Sequence, residues 1–316
     1  MSGAILTVTP NPAIDVSAST QIVTSEHKLR CADVRRDPGG GGINVARVLT
    51  RFGARCTAVY PGGPILGRLL RDLLEREGVP SIALEIAGET RESFTVLERA
   101  SGREYRFVLP GPRLEPGEWQ ACIDLVDRHA GPLAYVVGSG SLPEGAPEDF
   151  FARLARAARQ RGARMVLDTS GAPLAAALHE GVYLVKPNLR ELRELTGEAL
   201  ESEDDWGRAA QALVRTGGAQ LVALTLGHRG ALLATRDRNL RASALQVQIA
   251  STVGAGDSFV AAMLWRLHSG GSLEQALAHG VAGGTAALLA PGTRLAFPED
   301  TERLARQVDV RSLPAD

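Results

Sequence analysis

The residues with the clearest capacity for chemistry lie in Thr252-Val-Gly-Ala-Gly-Asp257, where a glycine turn opens a run of small and apolar residues with helical character. The first amides of a helix have no partner within it, and the dipole there is positive. Gly254, Ala255 and Gly256 therefore form a candidate hole for an anion. Asp257 falls in the first turn beside it, where a carboxylate could take the proton of an attacking hydroxyl. Standing alone, the same segment reads equally well as a helix cap.

A second candidate is Asp37-Pro-Gly-Gly-Gly-Gly-Ile-Asn44, in which Gly39, Gly40, Gly41 and Gly42 feed another helix. Without side chains a ligand can approach the backbone, and Asn44 offers a donor and an acceptor from the first turn. A flexible loop is the plainer reading. A dinucleotide fingerprint is disfavoured because the glycines follow Arg35-Arg36-Asp37-Pro38 instead of an apolar strand, and a P-loop is excluded by the absence of the Gly-Lys-Ser/Thr ending. The third candidate is Val185-Lys186-Pro-Asn188-Leu-Arg-Glu191 at a strand end. Asn188 and Glu191 have capping-box spacing, and their oxygens would also suit Mg²⁺ held partly through water.

Elements must bring these three segments together. From about residue 130, short β-branched runs (Tyr135-Val-Val-Gly138, Met165-Val-Leu-Asp168, Tyr183-Leu-Val-Lys186, Leu221 to Leu226) alternate with helical stretches such as 150–161 and 204–215. That pattern predicts a parallel sheet, with 138–141, Asp168, 186–188 and 225–227 along its ligand-bearing carboxyl edge. The earlier segments 15–22, 28–36, 93–99 and 103–109 alternate polar and apolar residues without helices between them. Ser101-Gly102 reads as a hairpin turn, and these segments predict a small antiparallel lid drawn from about 15–36 and 82–109. Helical spacing over 42–52 ends at Gly53. No repeat or linker divides the chain, so 1–316 is read as one domain.

Composition limits the rest. Lys plus Arg total 35 against 36 Asp plus Glu, a net charge of −1, which removes the electrostatic case for a nucleic-acid partner. Cys31, Cys56 and Cys122 are too scattered for a disulfide framework or zinc site, which fits a reducing cytoplasm. No basic leader precedes Pro10 and Pro12, and no apolar run nears about 18 residues, so neither secretion nor a membrane span is expected.

The three motifs, in this order, resemble the ribokinase/PfkB family of carbohydrate kinases across essentially the whole chain. The resemblance implies a three-layer α/β/α domain with a mainly parallel sheet and a β lid, using ATP and Mg²⁺. It implies that Asp257 is the base, that 254–256 form the anion hole, that 39–44 hold the sugar, and that Asn188 and Glu191 order the metal. The opening Thr9-Pro-Asn-Pro-Ala-Ile-Asp15 and Thr90-Arg91 are similar to the sugar-phosphate branch, with Asp15 on sugar hydroxyls. Lys28-Leu-Arg30, the GGGGINVAR loop and Lys186-Pro-Asn-Leu-Arg-Glu-Leu are most similar to the minor bacterial 6-phosphofructokinase type. Gly41 stands where the 1-phosphofructokinase and tagatose-6-phosphate kinase branches carry lysine. The expected reaction is phosphorylation of fructose 6-phosphate, with those two branches as alternatives.

A phosphorylated substrate needs fixed cations, and the lid offers Lys28, Arg30, Arg91, Arg103 and Arg106, of which resemblance favours Lys28 and Arg91. It also implies a sugar contact from Ser141, and nucleotide contacts from Lys186, Asn188, Thr225, Gly227, Gly230, Thr252 and Thr285. Related kinases bind K⁺ through backbone oxygens, for which Ser251, Val253, Ala287, Ala290, Gly292 and Arg294 are the matching positions. A lid sheet with one uncovered face predicts a homodimer joined lid to lid. Two other classes were weighed: a catalytically silent sugar- or nucleotide-binding regulator, which the intact motifs oppose, and a dinucleotide-dependent oxidoreductase.

Overall fold

The computed structural model describes residues 3–289 and 292–314. Two sheets organise them. The larger has ten strands in the spatial order Val310–Pro314, Arg238–Ala242, Ala231–Ala234, Ala219–Thr225, Val182–Val185, Arg164–Asp168, Leu133–Ser139, Ala4–Val8, Cys56–Gly62 and Ser81–Glu85. Pairing is parallel from Ser81–Glu85 through Ala219–Thr225, and antiparallel beyond it.

The continuous apolar runs have a direct cause. Successive strand residues point to opposite faces, and both faces are covered. Ile5, Tyr135, Val137 and Leu184 pack against helices Gly41–Arg51, Leu66–Arg76, Ala255–His268, Leu273–Leu288 and Pro298–Ala305. Their neighbours Leu6, Val136 and Val185 pack on the other side against Pro116–Arg128, Phe150–Gln160, Gly171–Glu180, Leu189–Thr196 and Glu203–Arg215. The result is the expected three layers, with Ser139, Asp168, Lys186 and Thr225 at the carboxyl edge of the parallel strands.

The small sheet runs Ala32–Gly39, Ala13–Thr20, Arg91–Glu98, Arg103–Val108. Its outer pairs are antiparallel, and they meet through a parallel central pair in which Ala13 faces Arg91 and Asp15 faces Ser93. Strand Ala4–Val8 passes through Thr9 to Pro12 directly into the lid, so the lid is rooted at the carboxyl edge of the large sheet.

One sequence expectation is corrected here. Residues 82–85 are not lid: Ser81–Glu85 pairs parallel with Cys56–Gly62 and forms the edge of the large sheet, because Leu66–Arg76 crosses over between them. The polar stretch before the four glycines is the lid strand expected over 28–36, running from Ala32 to Gly39 outside the parallel sheet. Its charges are explained by exposure from Ala32 to Arg36.

Candidate active site

Helix Ala255–His268 starts from Gly254, which caps it at φ 75. A β-carbon there would meet the backbone penalty of the left-handed region and would overlap Leu295. The helical ladder begins with the Ser258 amide donating to the Gly254 carbonyl at 2.9 Å, so the amides before it are directed outward. Asp257 is the third residue of this helix, and its Oδ2 accepts a 2.8 Å hydrogen bond from Asn44 Nδ2. The two motifs, 213 residues apart in sequence, therefore meet side chain to side chain. Loss of water pushes the Asp257 pKa up to about 7, aided by the Asp168 charge and opposed by the Asn44 hydrogen bond and Lys186. A carboxyl group so tuned is a base matched to neutral pH.

Asp257 opens into a cavity of about 380 Å³ between the lid and the carboxyl edge. Gly40, Gly41 and Asn44 line one part, Asp15, Arg91 and Arg106 enter from the lid, and Ser141, Glu191, Gly254 and Gly256 line the rest. Asp15 is raised to about 6 by burial, against the opposing charges of Arg106, Arg47 and Arg91. Arg91 is held in place by donating to the Asn11 and Leu109 carbonyls, at 3.2 and 3.3 Å. Ser141 Oγ accepts from Asn11 at 3.2 Å.

Three predicted sugar residues are not brought to this cavity. Gly39 is buried beneath it, and a β-carbon there would come within 2.5 Å of the Asp15 carboxyl group. Gly42 likewise would press on Thr9 Oγ1 at 2.5 Å. Both glycines make room for neighbouring side chains, while Gly40 and Gly41 face the ligand space. Lys28 lies exposed on the connection between Ala13–Thr20 and Ala32–Gly39, away from the lining residues.

A second cavity of about 450 Å³ adjoins the first at Gly256. It gathers Asn188, Thr225, Gly227, Gly230, Thr252 and Thr285, as expected for one ligand, and adds apolar walls from Phe259, Val281 and Leu288. A flat aromatic base fits such walls, with its polar tail directed to Gly256. Lys186 is absent from this lining. It is buried beneath the turn, 3.1 Å from Asp168, where burial works against its charge but Asp168, Glu191 and Asp257 prevail and hold its pKa above the ordinary value.

Asn188 and Glu191 form a reciprocal cap: Asn188 Oδ1 accepts from the Glu191 amide and Glu191 Oε2 from the Asn188 amide, both at 2.9 Å. Asn188 thereby commits its carbonyl to the helix, while Glu191 lines the first cavity with Asp168 and Asp257. One oxygen of Glu191 stays outside the cap, and that donor chemistry fits a Mg²⁺ ion whose remaining ligands are water and phosphate.

At the predicted K⁺ positions, the Ala250 amide donates to the Leu288 carbonyl at 2.7 Å, which brings the 251–253 turn against the end of helix Leu273–Leu288. Ala287 is in its last turn, where carbonyls lack helical partners. The Arg294 carbonyl accepts from Arg51, and Gly292 has φ 64. Ala290 lies outside the described residues.

Sequence reasoning gave no role to Thr169 or Arg47, nor any to Ser139 and Asp168 beyond their place on the edge. Thr169 follows the same strand-end rule that located Asp168, and that signal could have found it.

Comparison with known proteins agrees with this geometry. Residues 10–300 match the model of the pfkB family carbohydrate kinases. The chain is 44% identical over 299 residues to the ATP-dependent 6-phosphofructokinase isozyme 2 of Mycobacterium tuberculosis, covering 95% of this chain and 88% of that one. It is 36% identical over 323 residues to the 1-phosphofructokinase of Xanthomonas campestris pv. campestris, covering 99% and 100%. Crystal structures of the Escherichia coli phosphofructokinase-2 superpose with a TM-score of 0.92 for the complex with potassium and 0.91 for the complex with fructose-6-phosphate. Identities are 40% and 38%, over 96% of this chain and 99% of those. The chain has a ribokinase-like fold and belongs to the pfkB family of carbohydrate kinases.

Proposed function

We propose that the protein transfers the γ-phosphoryl group of ATP to the C1 hydroxyl of fructose 6-phosphate, yielding fructose 1,6-bisphosphate and ADP. The observation that carries this reading is the position of Asp257, a carboxylate with pKa about 7 beside Gly256, the residue common to both cavities. Asp257 accepts the hydroxyl proton, the C1 oxygen bonds to the γ-phosphorus, and the bond to the β-phosphate oxygen breaks in line. The outward amides of the first turn, with the Lys186 ammonium beneath them, meet the charge spread over the phosphoryl oxygens. Asp15 takes sugar hydroxyls, and Arg91 and Arg106 bind the 6-phosphate through planar donor forks.

Mg²⁺ carried by the nucleotide would neutralise its phosphates, and Glu191 Oε1, outside the cap and 3.9 Å from Arg190, would reach it through water. K⁺ beside the anion hole is part of the same reading, supported by the turn at 251–253 and by the potassium complex of the Escherichia coli protein. Closure of the lid would exclude water from the transfer.

Among the described residues no helix is long and apolar enough to cross a membrane. A cytoplasmic site of action is supported by three free thiols, two of them buried. A homodimer through the lid is supported by the exposed Val34 and Phe107 on its outer strands.

The 36% identity to a 1-phosphofructokinase favours a second reading, fructose 1-phosphate as acceptor. Measuring kcat/KM for fructose 6-phosphate, fructose 1-phosphate, tagatose 6-phosphate and fructose decides between them. Fructose 6-phosphate is expected to lead, and a lead by another sugar overturns the substrate while leaving the kinase. In the same assay Asp257→Asn should bind both ligands yet lose about a hundredfold or more in kcat. Near-normal turnover there would remove the assigned base.

A further inference from the structure

Among the described residues Arg47 is the largest fully buried side chain, at 1% exposure. A buried guanidinium is rare and destabilising unless its donors are matched. Glu77 matches one edge, accepting from Nε at 2.9 Å and Nη2 at 2.6 Å, and that ion pair would suffice for neutrality. Nη1 is directed elsewhere. It donates to the Pro38 carbonyl at 3.0 Å and to Asn44 Oδ1 at 3.2 Å. The first acceptor is the entry to the glycine loop, and the second is the amide that touches Asp257.

The orientation of Asn44 follows from donor and acceptor types. A guanidinium can only donate and an ionised carboxylate can only accept. With Arg47 on one side, the amide oxygen of Asn44 must face it, and the NH₂ group is turned to Asp257, where it makes the 2.8 Å bond. Without Arg47, the opposite flip would set the amide oxygen against the carboxylate. Glu77 is anchored in turn by Arg51 at 2.9 Å, so the chain from Glu77 to Asp257 rests on the fixed face of helix Gly41–Arg51.

The geometry points to Arg47 as a positioning residue for phosphoryl transfer: it touches neither sugar nor nucleotide, but fixes the Asn44 amide and through it the direction of the Asp257 carboxylate. The inference rests on Asp257 being the base. The groups facing Asp257 are Asp168, Lys186 and Asp15 besides Asn44, and Asn44 is the one whose hydrogen bond holds the carboxyl pKa down together with Lys186. Removal of Arg47 loosens that bond, so the acid limb of the kcat profile moves to higher pH.

The test is a double-mutant cycle on the full-length enzyme: Arg47→Met and Arg47→Lys, each in the Asn44 and Asn44→Ala backgrounds, with Asp257→Asn as control. In the Asn44 background each Arg47 variant is expected to lose about tenfold in kcat, with its acid limb raised and KM for ATP unchanged. In the Asn44→Ala background neither should lose more than about twofold further. Equal losses in both backgrounds, or lowered Tm with wild-type kcat and pH profile, overturn the inference. Should Arg47→Met fail to fold, Arg47→Lys decides, since it keeps the charge pair with Glu77 but lacks the planar fan that also reaches Pro38 and Asn44. Full activity in that variant is an overturning result. Activity of Asp257→Asn would instead defeat the reading of the base on which the inference rests.

Discussion

The Asp257 carboxyl group is placed where the fold is weakened by its charge. Its pKa rises to about 7 in the folded chain, from about 3.9 for an unfolded aspartate. A raised folded-state pKa means that the protonated form is the stabilised one. The contribution is fully present below the unfolded value and is lost as pH rises through about 7. Asp15, raised to about 6, adds to the same trend over a slightly lower window. Catalysis needs the opposite state, with Asp257 ionised, so function is obtained at the expense of stability. Asp257→Asn should therefore raise the ligand-free Tm at pH 8 by a few degrees and leave it nearly unchanged at pH 4, when both proteins are neutral at this position. Thermal melts of the two proteins at those pH values check the sign, and a lower Tm for the variant at pH 8 would contradict the burial argument.

At the scale of elements, the glycine loop shows why residue type alone under-determines a site. Gly41 lines the cavity beside Asp257, and a β-carbon there would overlap Ser139 Oγ and lie 3.3 Å from Asp257 Oδ1. Gly41→Ala should therefore lower kcat/KM for the sugar phosphate by about tenfold or more while Tm falls little, since the displaced Ser139 hydroxyl can turn. Steady-state kinetics beside a thermal melt separate the two effects. Gly39 and Gly42 look identical in sequence, yet they face Asp15 and Thr9. The motif at 254–257 and the parallel sheet were legible because strand-end and helix-start chemistry is local, whereas the meeting of that motif with the glycine loop, 213 residues away, followed only from the family resemblance. Gly40, Gly41 and Asn44 were found for the same reason. What local pattern does not carry is the choice of partner. Ser81-Ile-Ala-Leu-Glu85 has the short alternating look of a lid strand, and only its pairing with Cys56–Gly62 assigns it to the large sheet. Arg47 escaped notice because an arginine in the middle of a helix reads as surface charge until Glu77, from the next helix end, closes over it.

For the whole molecule, the lid raises a question that one chain does not answer. It supplies Asp15, Arg91 and Arg106 to the cavity, yet it is a four-stranded sheet whose outer strands carry Val34 at 54% and Phe107 at 56% exposure. Apolar side chains on uncovered strands are a liability in an isolated protein, and a second copy covering them would stiffen the sheet that positions the arginines. The lid is tied to the body by Ile14 and Val16, whose side chains join the main core, and by polar contacts: Arg47 donates to the Pro38 carbonyl at 3.0 Å, and Ser251 Oγ lies 3.4 Å from Glu104. Association of two lids would then set sugar affinity as well as stability. Phe107→Glu places a charge on that face without touching Asp257 or the lining of either cavity. The variant should run as a monomer in multi-angle light scattering at micromolar concentration and show a raised KM for fructose 6-phosphate, with KM for ATP little changed. A variant that keeps the dimer mass would move the interface away from the lid, and a monomer with unchanged sugar KM would mean that the lid holds its arginines in place unaided.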